Sequence, residues 1–333
     1  CAPLLDAIIQ EHKQKTLALN LTPVIVTLGR LPFATVMRLD NASPILKKDF
    51  FTYPFWSDYY QIWVLPVEQP SILMRGNSHL IPAMQFGIRR ALEIAAQGLT
   101  LHTPDYLLDP APATFSQWID DYKAYAATHA DSILSFDIET PMKRGRDEAA
   151  IVREDDDDYV ILRCSFCYLP GRAVSVPWAA EYLPLLEDIF ATPWTTAGWN
   201  SESYDLPRIR ARGLRVNGPH VDGMLCWHVL NSALPKGLGF VTPFYCQDVL
   251  AWKYTSDAAP AHYNAQDADM ALRDILGIKQ DLLANKQWDI LERHVVRLNE
   301  VLTYMSGQGV LRDETLRTQS EHQLQTLLDE VES

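Results

Sequence analysis

Short apolar runs recur between stretches of helical spacing along this chain, and they do so twice, on either side of a proline-bearing break. Such alternation calls for α/β architecture, because each amphipathic helix must cover a sheet face. In residues 1–98 the order is an apolar helical start, the strand TPVIVTLG, a helix at LPFATVM, the strand IWVLPV and a helix through HLIPAMQFGIRRALEIAA. This predicts a first α/β unit with a parallel sheet. Residues 99–114, LTLHTPDYLLDPAPAT, carry prolines at 104, 110 and 112 without sustained periodicity and read as a linker. A second unit, 115–290, offers the strands SILSFDIE, YVILRCSFCYL, RAVSVP and TTAGW, then helices from Ser203 onward, a long one beginning near Ala261. The last stretch, 291–333, is helical with an expected break at Gly307 and Gly309. A chain of 333 residues exceeds what one hydrophobic core sustains, which fits two units and part of a third.

Hydrophobic residues make up 47% and charged ones 21%, enough to build real cores in a soluble protein. No apolar run is long enough to span a bilayer and the start, CAPLLDAIIQ, has no basic leader, so neither membrane nor secretion is expected. Five scattered cysteines point to a reducing, cytoplasmic setting. Cys164 and Cys167 have the gap of a zinc half-site, yet in a strand residues three apart face opposite sides, so buried thiols are expected. The net charge of −13 argues superficially against a nucleic-acid partner, but much of it is local, as in Glu154 to Asp158, and a metal-dependent cleft needs carboxylates anyway. Because the chain opens on Cys1 and stops at Ser333 within a helical pattern, it is expected to be part of a longer polypeptide.

Three segments carry candidate chemistry. Asp137 and Glu139 end the strand SILSFDIET and project to one face, with Phe136 and Ile138 on the other. Adjacent carboxylates repel unless a cation joins them, and hard oxygen ligands suit Mg²⁺ or Mn²⁺. Solvated acids at a strand end are the alternative. In AGWNSESYDLPRIRARG, a short strand leads through Asn200 to Asp205 in a first helical turn, where the helix dipole alone would favour a carboxylate. In HYNAQDADMALRDIL, Tyr263 and Asp267 share a helix face, as they also would on an ordinary amphipathic helix. The acidic insert from Lys143 to Asp158 reads as a solvated hairpin tip, and His262, beside Tyr263, as a surface histidine.

In this order, D-x-E, N-x₃-Y-D and Y-x₃-D, the segments resemble the three exonuclease motifs of the DEDD superfamily in its tyrosine-containing subclass. The stretch HVDGMLCWHVLNSALPKGLGFVTPFYC, with strand-borne Asp222 opening a helix, looks like the corresponding region of family A DNA polymerases, and the segment from Leu291 is similar to the one leading into their polymerase domain. The resemblance implies an RNase H-like fold and a 3′-to-5′ exonuclease using two divalent cations, Mg²⁺ or Mn²⁺, that flank the scissile phosphate. Asp137 would bridge both ions, Glu139 and Asp267 would complete the water-activating one, and Asp205 would support the second. Tyr263 would orient the attacking water, while Asn200 and the backbone near Thr140 would hold the terminal nucleotide. The implied partners are a single-stranded DNA 3′ end and a polymerase domain in the complete chain. An RNase D-like enzyme that trims RNA and a catalytically silent nucleic-acid-binding module are the alternatives.

The head, with Cys1-x-P-L-L, VIVTLG and VLPVEQPSILMRG before a helix, resembles part of an α/β/α uracil-DNA glycosylase domain of the iron-sulfur type. Where that family has a catalytic histidine this chain has Gln69, whose neutral amide cannot offset a uracil anion. Four cysteines would be needed for a cluster and only Cys1 is near. A structural or DNA-gripping head, the latter through Ser71, Arg75 and the turn at Gly76, is expected rather than a glycosylase.

Overall fold

We describe the protein from a computed structural model, whose described residues are 2–47, 50–141, 160–309, 311 and 313–332. Cys1 and the acidic segment 143–158 lie outside them.

In the head, α1 (Ala2–Ala18) leads to β1 (Val24–Leu28), α2 (Arg30–Met37), β2 (Phe55–Ser57), β3 (Ile62–Val67), α3 (Pro70–Leu73) and α4 (Ile81–Gln97). β1 pairs with β3 in parallel, as the sequence pattern predicts, but β2 joins the other edge of β3 antiparallel. The sheet is therefore mixed, not parallel. β2 is too short to show a period of two, so its pattern carries no signal. Gly87 lets α4 close onto β3: a Cβ there would meet Val67 Cγ1 at 2.6 Å.

Within the expected linker, β4 (Leu107–Leu108) pairs in parallel with β7 (Val174–Pro177), and α5 (Pro112–Thr128) begins before it ends. Then follow β5 (Ile133–Glu139), β6 (Arg163–Cys167), β7, α6 (Leu183–Phe190), β8 (Thr195–Gly198), α7 (Asp205–Ala211), β9 (His220–Asp222), α8 (Gly223–Leu230), α9 (Leu238–Tyr245) and α10 (Pro260–Ala284). The strands lie in the order β4-β7-β6-β5-β8-β9. β5, β6 and β7 are successively antiparallel, while β8 and β9 extend from β5 in parallel.

Residues alternate across this sheet. Leu134, Phe136 and Ile138 enter a core with α5, α6 and α7, whereas Ile133 packs on the opposite face with Ala265, Ala268 and Leu272 of α10. Asp137 and Glu139 therefore share the α10 face. Cys164 and Cys167 fall in the two different cores, buried and free, as their spacing in a strand predicts. Phe33, Phe50, Tyr53 and Phe55 of the head form a further core together with Val249, Trp252 and Met270.

The C-terminal part comprises α11 (Trp288–Ile290), a π turn (Leu291–Val295), α12 (Val296–Gln308) and α13 (Glu314–Glu332). α12 continues through Gly307, and the break falls at Gly309 with φ +67°. Among the described residues, no helix is long and apolar enough to cross a membrane.

Candidate active site

Three carboxylates converge where the end of β5 meets the start of α10. One oxygen from each of Asp137, Glu139 and Asp267 lies within 4.8 Å of the others. Strand alternation brings the first two together, and α10 lays Asp267 across them. Burial, then the charges of Asp267 and Glu139, pushes the Asp137 carboxyl well above the ordinary range. Burial and Asp267 push Glu139 up to about 8. Like charges held together in partial burial favour a proton or a cation. A cluster of hard oxygen donors is the donor set that Mg²⁺ or Mn²⁺ requires, so these residues fit a divalent ion.

Each acid is held by named donors. Asn264 Nδ2 donates to Asp137 Oδ2 at 2.8 Å, and the Asn264 side-chain oxygen accepts from the Ser175 hydroxyl at 2.8 Å. Asp267 Oδ1 accepts from the Trp252 indole N–H at 2.5 Å, and Lys253 Nζ donates to both Asp267 oxygens, at 2.8 and 2.7 Å. Burial lowers the Lys253 pKa, but Asp267 and Tyr263 outweigh it and raise it, keeping the ammonium charged. The same ammonium donates to the Tyr263 hydroxyl at 3.4 Å. Burial, then Asp267, holds the Tyr263 phenol protonated.

Asp205 stands beside this group rather than within it. It opens α7, as its helix-start pattern predicts, and is 3% exposed. β8 pairs with β5 only as far as Ser135. Beyond that point Asp205 Oδ1 accepts the Ile138 N–H at 3.0 Å, locking the strand end between Asp137 and Glu139. Burial raises its carboxyl to about 7 despite that bond.

The residues expected to hold a nucleotide are placed nearby. Thr140 shares a 2.7 Å hydrogen bond with the Tyr204 hydroxyl. Asn200 adopts φ +60°, and its backbone N–H donates to Asp222 Oδ1 at 3.1 Å. Asp222 also accepts from the N–H groups of Glu202, Met224 and Leu225, so it caps α8 and fixes the loop before α7. His262 turns its ring to Tyr106, with centroids 5.2 Å apart, and is half-buried rather than on the surface.

No protein-family model and no curated protein matches this chain. Among solved structures it is similar to the POL domain of Pol1 from M. smegmatis in complex with DNA primer-template and dNTP, at 13% identity and a TM-score of 0.47. That match covers 66% of this chain and 35% of the other, so this chain spans about a third of that protein's length. It is also similar to Brucella melitensis NrnC, at 12% identity and a TM-score of 0.43, over 55% of this chain and 89% of that one. A third is Escherichia coli RNase D, an exoribonuclease involved in structured RNA processing: 13% identity, TM-score 0.43, 63% of this chain and 52% of that one. At such identities, what those proteins bind or cut is a property of theirs.

Trp252, Lys253 and Asn264 are the site residues that the sequence pattern does not reveal. Trp252 and Lys253 lie in residues 246–259, which form neither helix nor strand, so no periodicity points at them. Asn264 follows Tyr263 directly and so leaves the face that Tyr263 and Asp267 share.

Proposed function

We propose that this chain is a metal-dependent 3′-to-5′ exonuclease of the DEDD type, acting on DNA 3′ ends with Asp137, Glu139, Asp205, Tyr263 and Asp267 as its working residues. The observation that carries the reading is the convergence of Asp137, Glu139 and Asp267 oxygens within 4.8 Å, with the Lys253 ammonium seated against one of them. Its mixed sheet, with the acid pair on a central strand and the fourth acid on a crossing helix, is in keeping with an RNase H-like fold.

The chain's own part in the reaction is to orient. Asn264 holds one Asp137 oxygen, the Trp252 indole holds Asp267 Oδ1, and Lys253, bonded to both Asp267 oxygens, fixes the plane of that carboxylate. Asp205 holds the β5 end through the Ile138 amide, setting the spacing of Asp137 and Glu139. Tyr263 keeps its proton and can donate it in a hydrogen bond to the attacking water, a role that needs no ionised phenol. Two divalent cations, when bound by the carboxylates, would supply activation of that water and stabilisation of the departing charge.

Single-stranded DNA and RNA, labelled at either the 3′ or the 5′ end, are to be digested with Mg²⁺, Mn²⁺ or EDTA. Release of the 3′ label first from DNA, abolished by EDTA and by Asp137→Ala, is the expected result. Near-normal cleavage by Asp137→Ala would sink the site assignment, and preferential loss from RNA would favour the RNA-trimming alternative.

A further inference from the structure

The head has no assigned task, yet its core runs into the acid cluster. Residues 246–259 connect α9 to α10 as neither helix nor strand, with local turn bonds after Trp252, so tertiary contacts set much of their course. Several of those contacts come from the head. Arg90, 1% exposed, donates Nη1 to the Thr52 carbonyl at 2.7 Å and Nη2 to the Gln247 carbonyl at 2.6 Å. The Tyr53 ring meets the edge of Trp252 with centroids 6.1 Å apart, while its hydroxyl donates at 2.8 Å to the Gly239 carbonyl of the preceding helix α9. Trp252 is 2% exposed, in the same core as Phe50 and Tyr53, and Tyr263 packs against that core too.

We propose that residues 1–98 act as a scaffold for the catalytic centre, with Tyr53 and Trp252 as positioning residues: the head seats the Trp252 indole, and the indole N–H aims the Asp267 carboxylate. The physical reason is that a carboxylate on an exposed rim samples several rotamers, whereas one gripped by a buried, ring-packed donor presents a fixed oxygen. Lys253, the next residue along the same loop, is delivered to Asp267 by the same support. The head is thereby part of the site's construction, which explains why a core shared between the two units lies directly behind the acids. This inference rests on the reading of Asp267 as part of a metal-binding cluster.

The test has a readout that does not require catalysis. With ¹⁵N-indole-labelled tryptophan in the whole chain, Trp252→Phe identifies the Trp252 cross-peak among the nine tryptophans by its loss. That peak is expected to shift in Asp267→Ala, and in Tyr53→Leu both to shift and to exchange faster with solvent. Mn²⁺ binding, titrated by electron paramagnetic resonance, is expected to weaken about tenfold in Trp252→Phe and in Tyr53→Leu. Trp56→Phe, an exposed change on the head surface, should leave both readouts at wild-type values. If Tyr53→Leu does not fold, Tyr53→Phe, which loses the hydroxyl with its bond to Gly239 and keeps the ring, and Trp252→Phe carry the comparison. Wild-type Mn²⁺ affinity in a folded Trp252→Phe overturns the scaffold alone. A wild-type protein that binds no Mn²⁺ overturns the metal reading beneath it.

Discussion

Tyr263 and Glu139 show how much of this site turns on the state of single groups. The Tyr263 hydroxyl is protonated and accepts from Lys253, so its proton is free to be donated to water. Tyr263→Phe removes that donor and little else. Single-turnover rates on a 3′-labelled oligonucleotide should fall about tenfold or more while substrate affinity is retained, and an unchanged rate would reduce Tyr263 to a packing residue. Glu139, raised to about 8, and Asp205, raised to about 7, make a second expectation. An acid whose folded pKa lies above its ordinary value binds its proton more tightly in the folded state. Its contribution therefore favours folding at low pH and is lost as pH rises through that window. The melting temperature in EDTA should drop between about pH 5 and pH 8, and Mg²⁺ should reduce the drop because a cation then replaces the protons. Glu139→Gln should flatten the EDTA profile, and a flat wild-type profile would mean that the acids are not strained.

At the level of elements, the junction of β9 and α8 organises the corner that leads to Asp205. Asp222 ends a strand and caps a helix, accepting from four backbone N–H groups, two in α8 and two in the loop that begins at Asn200. Removing it leaves those donors buried or half-buried without a partner. Asp222→Ala should cost about 2–3 kcal/mol in urea unfolding, and Asp222→Asn less, since the amide keeps one acceptor. A loss below about 0.5 kcal/mol for the alanine variant would show that water replaces the cap. This helix start was readable in advance through the resemblance that sets a strand-borne aspartate before a helix, although its strand, His220–Asp222, is too short to show a period of its own. β2 was not, and β4 was hidden in a proline-bearing segment whose two paired residues gain strand geometry only from β7.

Taken as a whole molecule, the chain packs its head against the loop that carries Trp252 and Lys253, and Gln69 bears on what the head does. Its side chain packs where a Cβ on Gly29 would come within 3.0 Å, and it offers a neutral amide at the turn from β3 into α3. We therefore expect no abasic sites when the protein is incubated with uracil-containing DNA. Sites that form, and vanish in Gln69→Ala, would reverse that view. The sequence by itself determined the elements with a strong period: the β5 strand that puts Asp137 and Glu139 on one face, the α10 helix that puts Tyr263 and Asp267 on another, and Asp205 at a helix start. Each of these is a local consequence of spacing by two or by three to four residues. Only the tertiary structure decided that the two faces meet, that Asn264 reaches across to Asp137, and that Trp252 and Lys253 close on Asp267. The Asn264 bond joins α10 to β5 across 127 residues, and the others reach Asp267 from an irregular loop seated on the head core. Such a loop takes its shape from what it packs against, and no periodicity in its own residues encodes it.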